Sequence, residues 1–168
     1  NGDGDEELVV SLGAWNGYEL VIYSARDVAG GSAKPLAVWQ KGIVHAKVAT
    51  LHKQNYLIVA VIPEQSMRIK QWLPNQADPG IYIFRFSRSH QLIPVKLFFD
   101  GEEQAFVPFG SREVPYAGPG AVVCLPRQDE LLVAVPTREK EKSELWLLSL
   151  RVHKDGFSYT KALGYIYK

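Results

Sequence analysis

The densest chemistry in the sequence stands at its amino end. Asn1-Gly2-Asp3-Gly4-Asp5-Glu6-Glu7 sets four acidic side chains within seven residues, directly ahead of the apolar run Leu8-Val9-Val10. Unpaired carboxylates this close repel one another at neutral pH, and a divalent cation among them relieves that repulsion. Oxygen-bearing residues alternating with glycine let a short loop wrap a hard cation, because glycine takes the backbone angles of a sharp turn without steric cost. Calcium is the cation this chemistry fits. The helix-flanked calcium loop has ligands at positions one, three, five, seven, nine and twelve with glycine at six. With Gly4 at six, Asn1, Asp3, the Asp5 carbonyl and Glu7 fall at three, five, seven and nine, but Val10 takes the place of the closing bidentate carboxylate. Strand formers follow, so this is not that loop. An acidic, frayed terminus without metal is the alternative reading.

Tryptophan supplies the next candidate chemistry. Trp15, in Gly13-Ala14-Trp15-Asn16-Gly17, and Trp72, in Gln71-Trp72-Leu73-Pro74-Asn75, stand in or beside loops. There an aromatic plane next to an amide side chain stacks on a sugar or anchors a protein partner, with local packing over a turn as the alternative. Trp39 and Trp146 fall within strands and are expected in the core. His45, His52, His90 and His153 show no metal-ligand spacing and read as strand-face or turn residues. Asp100, Glu102, Glu103, Asp129 and Glu130 lie in turn-rich segments and read as solvated loop acids rather than a catalytic pair. The sequence has no Gly-x-Ser-x-Gly elbow, no phosphate loop and no Gly-x-Gly-x-x-Gly opening a helix. Its one cysteine, Cys124 in Ala121-Val122-Val123-Cys124-Leu125, has apolar neighbours and reads as a packing residue.

Composition bounds what can position these residues. The chain has 168 residues, 46% of them hydrophobic and 22% charged, the profile of one globular domain. The formal net charge is +1 and the lysines and arginines are scattered, which argues against nucleic acid as a partner. A single cysteine excludes an intrachain disulfide and a cysteine-rich zinc site, and leaves the redox compartment undecided. No apolar run approaches the roughly 18 residues of a membrane span, and no basic-then-apolar leader opens the chain. Asparagine at position 1 leads us to expect a processed, trimmed or excised chain.

Helical periodicity is nearly absent, whereas short β-branched and aromatic runs bounded by Gly, Pro, Asn and Asp recur from end to end. Strands are expected at 7–12, 18–24, 35–40, 43–50, 55–62, 80–87, 91–99, 105–109, 120–125, 130–135, 143–151 and 157–163. Ile81-Tyr82-Ile83-Phe84-Arg85-Phe86 alternates, while Tyr56-Leu57-Ile58-Val59-Ala60-Val61-Ile62 is apolar on both faces and predicts a strand covered on both sides inside a stack of sheets. Tight turns are expected at Trp15-Asn16-Gly17, Arg88-Ser89-His90 and Lys154-Asp155-Gly156. One helical turn is conceivable at 65–73, before Pro74. Segments 64–79 and 100–119 read as surface loops and 138–143 as a charged hairpin tip.

The strands fall into units. Tyr56-Leu57-Ile58-Val59-Ala60-Val61-Ile62-Pro63 and Glu130-Leu131-Leu132-Val133-Ala134-Val135-Pro136 are each followed by a loop, an aromatic-rich strand, a hairpin and a further strand. The expected fold class is therefore all-β, in antiparallel four-stranded modules at about 7–40, 43–99 and 120–164 of a single all-β domain, the first shorter than the others. Such modules are β-propeller-like, partial or assembled with another chain; a β-sandwich is the alternative. Three units are too few to close an ordinary propeller, and an open array exposes apolar faces that favour a homo-oligomer or a partner subunit completing the sheet array.

The segment Asn-Gly-Asp-Gly-Asp-Glu-Glu-Leu-Val-Val at 1–10 resembles the calcium loop of FG-GAP or VCBS-type repeats of β-propellers, in which an acidic loop opens into an apolar strand. It matches all but the leading aspartate of that pattern, and the stretch 13–24 follows it loosely. The resemblance implies a calcium site in which Asn1 and Asp3 ligate through side chains, Asp5 through its backbone carbonyl and Glu7 through its carboxylate. The later units resemble, more weakly, the blades of epilepsy-associated repeats. Together these point to a non-catalytic binding module, extracellular or in the cell envelope, stabilised by calcium and recognising a protein or glycan through loops. The alternatives are an accessory or fragmentary domain of a secreted carbohydrate-active enzyme, and a structural assembly subunit.

Overall fold

The computed structural model describes residues 4–11, 19–40, 43–62, 77–78, 80–108, 123–127, 129–139 and 142–167. These residues are all-β apart from one short helix, in three sheets of which none closes on itself. The first sheet is an antiparallel meander of β1 (Glu7–Ser11), β2 (Glu19–Ser24) and β3 (Ala37–Gln40), interrupted after β2 by the helix α1 (Ala25–Ala29). The sequence reading did not anticipate α1, because a single turn is too short to show a helical period. Its signal is local: Ser24 Oγ accepts from the Asp27 N–H at 3.2 Å, capping the turn, and Gly30 ends it.

The middle sheet is built on β4 (Ile43–Leu51), β5 (Gln54–Ile62) and β6 (Gly80–Phe86), joined antiparallel. His52 and Lys53, with φ of 51° and 62°, form the two-residue turn between β4 and β5. The far edge of β6 is shared. β7 (Leu92–Pro94) pairs with its carboxyl end, and β10 (Val107–Pro108) pairs with its start. The third sheet runs in the order β11 (Val123–Pro126), β12 (Glu130–Glu139), β13 (Lys142–His153), β14 (Gly156–Tyr167), then β8 (Lys96–Phe99) and β9 (Glu102–Gln104).

All-β thus holds, but the strict four-stranded antiparallel module needs correction: the sheets have three, five and six strands, and β14 and β8 run parallel. The cause is a strand change. The single strand expected at 91–99 divides at Val95, whose N–H donates to the Ile83 carbonyl at 2.9 Å while the preceding Pro94 has no N–H to offer. The chain then crosses to the third sheet as β8. Segment 100–119 is correspondingly not all loop. Asp100 and Gly101, with φ of 51° and 84°, turn β8 into β9, and β10 follows; residues 109–119 lie outside the described residues. The hairpin tip expected at 138–143 is narrower, since Glu139 and Lys142 already pair across β12 and β13. The helical turn expected at 65–73, the Trp15-Asn16-Gly17 turn and most of loop 64–79 lie outside the described residues.

Two apolar clusters hold the sheets in a stack. Between the first and middle sheets, Leu20 and Ile22 meet Leu57, Val59, Val61 and Phe84, with Val9 and Trp39 packed against them. Between the middle and third sheets, Ile58, Ala60, Ile81 and Ile83 meet Leu97, Leu131, Leu148 and Phe157. Residues 57 to 61 of β5 are consequently at most 5% exposed on both faces, the condition that the doubly apolar run predicts. Each fully buried Val, Leu or Ile there contributes on the order of 1.5–3 kcal/mol of transfer free energy. Trp39, expected in the core, is partly buried against it, meeting Tyr82 and Phe84 edge to face at 5.4 and 5.2 Å between ring centroids. The backbones of Trp146 and Cys124 lie in β13 and β11; their side chains are outside the described set.

Candidate functional site at the head of the first strand

The acidic loop enters the structure at Gly4, whose φ of +92° lies in the left-handed region that glycine occupies without penalty. Asp5 and Glu6 follow, and Glu7 opens β1 opposite Ser24. The ladder reaches one step back, because the Ala25 N–H donates to the Glu6 carbonyl at 2.8 Å. This fastens the loop to the start of α1, and Arg26 on that helix donates from Nη2 to Asp5 Oδ1. The Arg26 and Asp5 side chains are 79% and 49% exposed, so the pair is well screened. Glu7 differs: its Oε1 is shielded from solvent.

Two cavities flank these residues. One of about 460 Å³ runs along β1 and is lined by the acidic residues 5–7 together with Val9, Ile22, Val48, Leu57 and Phe86 from the first and middle sheets, with Asn55 and Tyr56 beside them. Its size is that of a ligand cleft, and apolar walls with a few polar groups at one end are the usual composition of one. The other, about 170 Å³, is polar and brings Ser24, Arg26, Asp27 and His90 around the same carboxylates. His90 sits with φ of 59° in the turn between β6 and β7, its ring 5.8 Å from that of Phe86.

Of the residues singled out in the sequence as metal ligands, Asp5 and Glu7 stand together at the head of β1, and Asn1 and Asp3 lie outside the described residues. Trp15 and Trp72 also lie outside them. Among the described residues, no group of three His, Cys, Asp or Glu is placed to hold a metal ion. The residues that sequence reasoning missed are Arg26, Asn55 and His90. No spacing rule links them to the acidic loop, because tertiary packing alone brings them to it.

The other acids and histidines are absorbed by the scaffold. Asp129 pairs with His52 at 3.0 Å, linking a turn of the middle sheet to the third sheet. Glu130 accepts from Ser149 and stands 3.8 and 4.0 Å from Arg151 and Arg127. Glu103 holds Lys96 at 2.7 Å, which raises the lysine pKa. Burial lowers the pKa of the half-buried His45 on β4. Burial also raises that of Tyr159, whose hydroxyl donates to Gln104. Among the described residues no helix is long and apolar enough to cross a membrane. Comparison with known proteins gives no match: no family model, no curated protein and no solved structure matches the chain.

Proposed function

We propose that the chain is a non-catalytic binding module of stacked, propeller-type blades, stabilised by calcium at its first strand and recognising a protein or glycan through loops. The observation that carries this reading is the acidic loop turning at Gly4 into β1, where it lines the 460 Å³ cleft between two sheets. Glu7 turns a carboxylate oxygen away from solvent, and Asp5, whose side chain accepts from Arg26, would ligate through its backbone carbonyl as the resemblance implies. The side chains of Asn1 and Asp3, the Asp5 carbonyl and the Glu7 carboxylate would hold the ion. Calcium supplies the positive charge these carboxylates share, and with it a fixed entry for β1.

The blade reading draws support from the face-to-face stack, in which each sheet covers apolar surface that its neighbour cannot bury alone. A layered sandwich uses the same contacts. Ligand contact is assigned to Trp15 and Trp72, and location outside the cell or in its envelope follows from the resemblance of the loop. Thermal unfolding with and without calcium tests the reading. An ion bound only by the folded state adds about 2.7 kcal/mol at a hundredfold excess over Kd, or about 5–10 °C in a chain of this size. Glu7→Gln should remove most of that shift, and a parent chain whose melting ignores calcium overturns the proposal.

A further inference from the structure

The third sheet carries a polar hollow of about 530 Å³ on the face turned away from the middle sheet, where β13, β14 and β8 run side by side. Leu97, Leu148, Leu150 and Phe157 point into the core, so strand alternation turns Phe98, Ser149, Arg151 and Ser158 to the other side. Register sets three of them in one row, since Arg151 pairs with Ser158 and Ser158 with Phe98. Two residues further along β14, Thr160 pairs with Ser149, and there β8 has already turned away at Asp100 and Gly101, which border the hollow. His153 pairs with Gly156, which sets no side chain beside it, and its ring lies 4.4 Å from that of Phe98 between centroids.

We propose that this hollow is a ligand site for a neutral saccharide. A sugar ring joins hydroxyls that both donate and accept to an apolar C–H face, and the lining offers the counterpart of each. The Ser158 and Thr160 hydroxyls donate and accept, the Arg151 guanidinium donates and the Asp100 carboxylate accepts. Ser149 gives its proton to Glu130 and keeps lone pairs that accept. The Asp155 N–H donates to His153 Nδ1 at 3.4 Å, which leaves the ring proton on Nε2 as a further donor. Half-buried Phe98 supplies the ring on which the C–H face rests. Charge excludes the ionic alternatives. Arg127 and Arg151 are balanced by Glu130, 4.0 and 3.8 Å from them, and by Asp100, so neither an anion nor a cation gains a net field there. The volume falls in the range of roughly 300–1,000 Å³ usual for small-ligand sites. The inference takes nothing from the calcium site and does not use Trp15 or Trp72.

The test uses the whole chain on an array of immobilised neutral and acidic glycans, with and without a calcium chelator. The parent should bind neutral glycans in both conditions. Arg151→Ala should weaken that binding at least about tenfold, the worth of one hydrogen bond to a charged group. Its melting temperature should stay near that of the parent, because the side chain is 75% exposed. Phe98→Ala should weaken binding as well, whereas Phe98→Tyr keeps the ring and should bind like the parent; Thr160→Val, an exposed change of equal size, replaces Phe98→Ala if that variant fails to fold. Binding of no glycan, of acidic glycans alone, or only in the presence of calcium overturns the proposal, and so do Arg151→Ala and Phe98→Ala chains that bind like the parent. Binding that Trp15→Ala or Trp72→Ala abolishes and Arg151→Ala leaves intact overturns it in favour of the loops. Glycan binding lost in Arg151→Ala, in a chain whose melting ignores calcium, upholds this site and fails the calcium reading alone.

Discussion

Gly156 lies so close to Lys96 that a Cβ built on it would stand 2.0 Å from the Lys96 carbonyl oxygen and 2.8 Å from its carbonyl carbon. Those two residues are the first rung of the parallel pairing between β14 and β8, through which the strand leaving the middle sheet joins the third. The obstructing atoms are backbone, so neither residue can move aside without parting the strands. We expect Gly156→Ala to destabilise the chain by at least the 1–3 kcal/mol typical of overpacking, about 3–10 °C in melting temperature. Melting within a degree or so of the parent would show that β8 is not held there.

Trp39 stands on an edge strand yet anchors the first sheet, because its ring fits edge-on against both Tyr82 and Phe84 of the middle sheet. Trp39→Ala should cost about 3 kcal/mol, and Trp39→Phe clearly less, since a phenyl ring keeps part of the edge-to-face contact. Chemical denaturation midpoints of the two variants check the order. Equal losses would mean that a phenyl ring keeps none of the contact the indole makes.

His45 gives the fold a pH dependence whose sign follows from its burial. Its pKa in the folded chain is below the ordinary 6.5, because burial penalises the charged ring. Above pH 6.5 the ring is neutral in both states and costs nothing. As pH falls through 6.5 the unfolded chain takes up the proton first, and stability is lost until the folded-state pKa is passed. His45→Gln should flatten that part of the stability curve, as read from denaturant unfolding at a series of pH values. A variant whose acid limb is as steep as the parent's contradicts the assignment.

How much of this was legible beforehand depends on the range of the interaction. Alternation in Ile81 to Phe86 and double apolarity in Tyr56 to Ile62 are local signals, and they gave the strands, their pairing into hairpins and the covered middle sheet. The crossing at Val95 and the parallel pairing of β8 with β14 join residues about sixty positions apart, and nothing in either segment encodes the other. The helix α1 was missed because Ser24 capping one turn leaves no period to detect. At the candidate site, Asp5 and Glu7 were marked by spacing, and the turn at Gly4 by the need for glycine. Arg26 arrived from 21 residues away and Asn55 and His90 from farther, through packing that no motif describes.

The central claim is that a cation held by the acidic loop fixes the first strand. Hydrogen–deuterium exchange on the intact chain, with and without calcium, tests it most directly, because amides that open locally exchange faster than those held by the global fold. Calcium should slow exchange across Glu7 to Ser11 and its partner Glu19 to Ser24, and leave the central amides of β13 and β14 unchanged. Exchange in β1 and β2 that is the same in both conditions would contradict the account.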